Sequence, residues 1–170
     1  MAKTSGGVRY SHSSPGREYK EFRGYSRDWE KTYFDSETGG FLVTHKERIE
    51  SAKQSPNERE KFDKEQSMCI DLANQGHKIE HLSDKGRKKG ETYDIHFDGL
   101  KADLKSVSSH NNIEKYVRHA VRDQGAKVVI IRVENKANKK KVIDSLRNAK
   151  RKYGRRIIYY YQSEKKLLEV

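Results

Sequence analysis

Apolar positions are unevenly spread along this chain. Before about Ser55 they are sparse and set among Gly, Ser, Arg and Tyr. After Pro56 they recur at helical and strand periods. Phe62, Cys69, Leu72 and Ala73 share one face of a helix predicted from Glu58 to about Gln75, with Asn57 as its cap and Gly76 as its stop. Strands are predicted at His77–Leu82, Tyr93–Phe97 and Lys101–Val107. A second helix, about Asn112–Gln124, aligns Ile113, Tyr116, Val117, Ala120 and Val121. The run Val128–Ile131 inside Lys127–Val133 reads as a strand buried on both faces, as in a parallel pairing. A third helix, about Asn138–Tyr153, and strands near Arg156–Tyr161 and Lys166–Val170 complete the chain. The predicted order is αβββαβαβ with a final short strand. It implies an α/β (α+β) fold, a mixed central sheet flanked by helices, combining an antiparallel meander with one right-handed helical crossover.

Residues 1–55 are expected to form a basic, largely flexible arm, because their apolar side chains are too thinly spaced for a core. One piece of the arm has a hairpin pattern at 29–44. There Trp29, Tyr33 and Phe34 precede the turn-forming Asp35–Gly40, and Phe41-Leu42-Val43 follow. Residues 56–170 are expected to be the folded domain. Within it, alternation that buries Ile158 also buries Tyr160 and exposes Tyr159 and Tyr161, which could stack on bases.

Charge narrows the range of partners. The chain has 170 residues, with 37 Lys and Arg against 25 Asp and Glu, a net +12; only 32% of residues are hydrophobic. The arm holds 10 basic and 8 acidic residues, so +10 falls on the remainder, and contact with a polyanion is the expectation. Candidate backbone contacts are Arg87, Lys88 and Lys89 in a Gly-bounded loop, Lys101, and Lys139, Lys140, Arg147 and Arg151 on the third helix. His110 and Asn111 join them at a helix start, where capping also accounts for at least one asparagine. No run approaches the ~20 apolar residues of a membrane span, and the opening MAKTSGGVRY has no apolar leader, so a cytoplasmic protein with no membrane contact is expected. Cys69 is the single cysteine, which excludes an internal disulfide and a cysteine-based zinc site.

The most informative segment is Tyr93–Lys105. Asp98-Gly99 between two alternating runs signals a two-residue primed turn. That turn sets Phe97 opposite Leu100, Ile95 opposite Ala102 and Tyr93 opposite Leu104 on an apolar face. The other face then carries Asp94 opposite Asp103 and His96 opposite Lys101, with Lys105 two residues beyond Asp103. Directly opposed residues have Cβ atoms about 4.5–5.5 Å apart, so the two carboxylates would repel unless a divalent cation lay between them or Lys101 and Lys105 neutralised them on a solvated sheet face. Oxygen ligands of this kind suit Mg²⁺ or Mn²⁺. Glu65 borders the apolar stripe of the first helix, a costly place for a charge without a partner; Lys61 or Arg59 on the same helix could pair with it. Gln124 continues the stripe of the second helix one turn beyond Ala120.

Glu on a first helix, Asp on one strand and Asp-x-Lys on the next resembles the PD-(D/E)xK nuclease superfamily, over roughly Glu58–Val133. The resemblance implies that Asp94, Asp103 and the Leu104 carbonyl bind a Mg²⁺ or Mn²⁺ ion. It further implies that Lys105 orients the attacking water, that Glu65 assists, and that Gln124 is an auxiliary polar group. Two departures stand out: Tyr93 precedes Asp94 where the family has Pro, and Asp103 stands where Glu is commoner. A looser resemblance joins Trp29–Arg48, Asp103–Ser106 and Ser109–Ile113 to small nuclease domains of phage head-morphogenesis proteins and of polymorphic or contact-dependent toxins. It implies a protein inhibitor or a larger phage or toxin assembly as partner, and it tilts the expected substrate from DNA towards RNA. Many such domains are metal-independent RNases of the barnase–EndoU–colicin–RelE type, a reading in which His110, His96 and Lys105 would carry acid–base chemistry. A nucleic-acid-binding module without turnover is the third alternative.

Overall fold

Aromatic rings build the first part of the molecule. The computed structural model describes residues 15–170, and the chain divides between Ser83 and Asp84 into two units. In the first, α1 (Pro15–Arg23) precedes the hairpin strands β1 (Trp29–Phe34) and β2 (Phe41–His45), followed by α2 (Lys46–Ser51), α3 (Pro56–Asn74) and β3 (Lys78–His81). β1 runs antiparallel to β2, and β2 pairs parallel with β3. The hairpin matches the sequence pattern. The rest of residues 15–55 differs from the expected mobile arm: Phe22, Phe41 and Val43 are buried, and Tyr25, Trp29 and Phe34 pack against them. A few rings suffice because each can bury about 150–250 Å², so a low apolar count hid a core. The part of the arm before residue 15 lies outside the described residues.

Helix α3 begins two residues earlier than Asn57 suggested. Ser55 is the cap, its Oγ accepting from the Glu58 N–H at 3.1 Å, and Pro56 occupies the first helical turn. Proline suits that position, since its missing N–H would have no intrahelical partner there.

The second unit holds β4 (Ile95–Phe97), β5 (Leu100–Val107), a 3₁₀ turn at His110–Asn112, α4 (Ile113–Arg118) continued as a π-helical turn at His119–Asp123, β6 (Val128–Val133), α5 (Lys139–Tyr153), β7 (Arg156–Tyr161) and β8 (Leu168–Glu169). From α3 onward the element order is therefore the predicted one, and the fold class is mixed α/β. β4 and β5 are antiparallel, β5, β6 and β7 are mutually parallel, and β8 returns antiparallel to β7. The unit has two helical crossovers where the sequence suggested one. All of β6 is buried, as its continuous apolar run required. Asn138 caps α5 through Oδ1, which accepts from the Lys141 N–H at 3.1 Å. Tyr159 and Tyr161 are buried together with Tyr160. Consecutive residues of β7 are buried, so both of its faces are covered, and these two tyrosines are not the exposed stacking surface the pattern suggested.

Candidate active site

The hairpin turn forms as the sequence dictates. Asp98 and Gly99 both take positive φ, 48° and 84°, the signature of a type I′ turn. The register follows: Ile95 pairs with Ala102, His96 with Lys101 and Phe97 with Leu100. Before Ile95 the ladder departs from the predicted pairing. The Asp94 N–H donates to the Ala102 carbonyl at 3.1 Å, although Ala102 is already the partner of Ile95. Two residues on one strand thus face one on the other, the arrangement of a β-bulge.

The bulge changes which side chains meet. Tyr93 does not face Leu104. Its hydroxyl lies 3.5 Å from His96 Nε2 and its ring 5.8 Å from Lys101 Nζ, so it joins the polar face. Asp94 is not simply opposed to Asp103. Its Oδ2 accepts the Leu104 N–H at 2.9 Å, which brings the carboxylate against the backbone beside Asp103. Backbone groups of one residue point to the same strand edge, so the Leu104 carbonyl faces that edge too.

Asp103 is the unusual group. It is 0% exposed, and neither carboxylate oxygen accepts a hydrogen bond. Lys105 Nζ lies 2.8 Å from Oδ2 in ion-pair contact, close enough for attraction but off the direction of a good hydrogen bond. A buried carboxylate with vacant lone pairs is costly and chemically available. Asp94, Asp103 and the Leu104 carbonyl bring oxygen donors, the ligand type that Mg²⁺ and Mn²⁺ take, to neighbouring positions of the chain. Among the described residues, no three His, Cys, Asp or Glu side chains gather as a metal-holding group.

Lys105 is held from the opposite side by Gln124, whose Oε1 accepts from Nζ at 2.8 Å. Gln124 reaches it because α4 ends in a π turn. The Gln124 N–H bonds the His119 carbonyl five residues back, at 3.2 Å. π turns of this kind re-aim a helix and recur at functional sites. Gln124 is also tied to the segment before β4: the Thr92 N–H donates to its carbonyl at 3.1 Å, and its Nε2 donates to the Thr92 carbonyl at 3.4 Å. Gly125 follows with φ +77°, and a Cβ there would stand 2.6 Å from the Gly90 carbonyl oxygen. The sequence thus placed Asp94, Asp103, Leu104, Lys105 and Gln124 in one neighbourhood, and missed Thr92.

Glu65 belongs to the first unit and is buried there. Its Oε1 accepts from Arg48 Nη2 at 3.1 Å and lies 2.8 Å from His81 Nε2. Gln66 Nε2 contacts His81 Nδ1 at 2.8 Å and donates to Thr44 Oγ1 at 3.0 Å, and the Phe62 ring stacks on His81. Burial pushes the Glu65 carboxyl up, but the hydrogen bond and charge of His81, with Arg48 and Lys61, outweigh it and hold the group below its ordinary value. The local partners expected on the helix, Lys61 and Arg59, are not the ones that bind it. Arg59 pairs with Asp63 at 3.2 Å.

The basic candidates have varied surroundings. Arg87 lies 4.4 Å from the Tyr93 ring and donates to the Tyr93 carbonyl, while Lys88 and Lys89 are exposed. Lys101 is paired with Glu91 at 2.8 Å. His110 and Asn111 form the 3₁₀ turn, which is capped by Ser109; Asn112 makes no side-chain cap bond, so serine and not asparagine does the capping. On α5, Lys139, Lys140, Arg147 and Arg151 are exposed. Lys139 is paired with Glu164, Lys140 with Asp144, and Arg151 bonds Asn148.

A mixed α/β scaffold carrying a buried acid–lysine pair is the class that these features define. No family model matches the chain, and no curated protein matches it. Among solved structures it is similar to a chain of the "CdiA-CT/CdiI toxin and immunity complex from Burkholderia pseudomallei". The TM-score is 0.53 at 11% identity, covering 69% of this chain and 89% of that one. At that identity the likeness is one of fold. Among the described residues, no helix is long and apolar enough to cross a membrane.

Proposed function

We propose that the protein is a metal-dependent nuclease of toxin type that hydrolyses phosphodiester bonds, with RNA as the favoured substrate. The observation that carries this reading is Asp103: fully buried, free of hydrogen bonds at both oxygens, and beside the Lys105 ammonium. Asp94, Asp103 and the Leu104 carbonyl would hold Mg²⁺ or Mn²⁺, which when bound supplies charge stabilisation at the phosphoryl oxygens and a more acidic water. Lys105, steadied between Asp103 and Gln124, offers its positive charge to the attacking water or to the phosphorane-like transition state. Water adds to phosphorus, the bond to the leaving oxygen breaks, and that oxygen gains a proton. Glu65 is left out of the catalytic set, because its Oε1 is already engaged by Arg48 and His81. The likeness to a toxin and immunity complex supports a toxin context and a protein inhibitor as partner.

Charge supports a nucleic-acid substrate. Residues 84–170 contain 23 Lys and Arg against 11 Asp and Glu, a net +12, whereas residues 1–83 hold 14 of each. The whole excess therefore sits on the unit that holds Asp103. The deciding experiment incubates the purified chain with total RNA and with plasmid DNA, in Mg²⁺, Mn²⁺ or chelator. Cleavage that needs a cation and disappears in Asp103→Asn and Lys105→Ala is the expected result. Cleavage that survives the chelator and fails in His110→Ala would establish the metal-independent RNase instead. Binding without cleavage under every condition would leave a nucleic-acid-binding module.

A further inference from the structure

The polar face of the β4–β5 hairpin continues beyond Asp103. His96 and Lys101 are a directly opposed pair on that face, and Lys101 is two residues from Asp103. Along an extended strand that separation is roughly 6.6–6.8 Å, comparable to the distance between neighbouring phosphates of an extended nucleic-acid strand. Lys101 is not buried in the sheet. Its side chain is 39% exposed, and its ammonium meets the Glu91 carboxylate at 2.8 Å, itself 32% exposed. Arg87 lies over Tyr93 nearby, and its Nε and Nη1 are buried with no acceptor. Both nitrogens are closed off from solvent, so Arg87 lends the site its positive charge and not an open donor. Lys101, Lys88 and Arg87 act together on Glu91 and hold its carboxyl below the ordinary value. The surroundings of Glu91 are thus those of an anion seat, occupied by the protein's own carboxylate.

We infer that Lys101, with Arg87 and Lys88, forms a subsite for the phosphate next to the scissile one, and that Glu91 fills this subsite in the free protein. The inference deepens the nuclease reading and rests on it for the words "next to the scissile one". It assigns the nucleic-acid strand a path from Asp103 towards the Asp98-Gly99 turn. It also makes Glu91 a competitor that a phosphate must displace, so that weak anions are rejected and a polyanion is not.

The test is equilibrium binding of a short single-stranded RNA to the full chain in chelator, where the RNA stays intact, over a range of salt concentrations. Lys101→Ala is expected to weaken binding about tenfold and to lower the slope of log affinity against log salt by about 0.7, the value of one single-strand phosphate contact. Lys101→Gln, which keeps most of the stem, should do the same, and thermal melts of both variants check that the fold is retained. Glu91→Gln should tighten binding several-fold in the parent chain and have no effect on the Lys101→Ala background. An unchanged salt slope in Lys101→Ala overturns the subsite. Equal tightening by Glu91→Gln on both backgrounds overturns Glu91 as its occupant, because a general charge effect would then suffice. Cleavage of the same RNA with Mg²⁺ is measured separately. No cleavage with an intact binding cycle removes the nuclease reading alone, and cleavage with a failed cycle removes the subsite alone.

Discussion

The buried carboxylates of Glu65, in the first unit, and Asp103, in the second, are treated in opposite ways. Glu65 lies in a unit with as many acidic as basic residues, and Arg48 and His81 both serve its Oε1. Asp103 lies in the unit that carries the whole +12, yet it has one ammonium contact and no hydrogen bond. Folding tolerates a buried charge when its partners are in place. The first carboxylate therefore looks after the fold. The second has lone pairs left over, and leftover lone pairs at a lysine and a second acid are what a reaction centre needs.

The contrast yields predictions that run from large effects to small. Removing Glu65 leaves Arg48 and His81 buried without their acid, so Glu65→Ala should cost about 3–5 kcal/mol, measured from the urea midpoint. Should a folded Glu65→Gln protein lose cleavage at full stability, Glu65 would join the reaction centre and the contrast would break. Asp103→Asn should do the reverse. It should reduce cleavage by about 10²-fold or more, while stability holds or rises because a costly buried charge is removed. Acid should separate the two carboxylates further. The folded Glu65 carboxyl is held below its ordinary 4.5, so its contribution is complete above that value and is lost as pH falls through the folded one. Urea midpoints taken from pH 6 to pH 3 should fall, and Glu65→Gln should flatten that fall. Gln124→Ala frees one side of Lys105 and should lower kcat about tenfold without a matching change in KM, which separates positioning from substrate binding. The smallest expected effect is Asn138→Ala, where loss of the α5 cap should cost about 1 kcal/mol in thermal or urea unfolding and leave cleavage as it was.

What was legible in the chain was local. Asp98-Gly99 set the turn, the turn set three pairs of the register, and alternation then put Asp103 and Lys105 on one face. Helical spacing brought Gln124 to the correct end of α4. What escaped the pattern depended on distant or irregular features. The bulge at Asp94 breaks the period of two without a Gly or Pro to announce it. Arg48 and His81 are 17 and 16 residues from Glu65, beyond the reach of any helical wheel. The core of residues 15–55 depends on ring contacts across α1, β1 and β2, such as Phe22 with Phe34 and Phe41 at 5.5 Å, which a count of apolar residues undervalues. Tyr159 and Tyr161 were misplaced because alternation reports two faces but not whether both are covered.

The crowding at Gly125 sets a rule for anyone redesigning this protein. The backbone that presents Gln124 passes so near the Gly90 carbonyl that no side chain fits between the two glycine-bearing bends. If the proposed function holds, exchanging the exposed lysines at 85, 88 and 89 would change which polymers are captured. A methyl group at position 125 would lever the basic loop and the amide that steadies Lys105 apart in a single step. On the proposed nuclease reading, specificity can be altered without loss of turnover only while both bends stay bare.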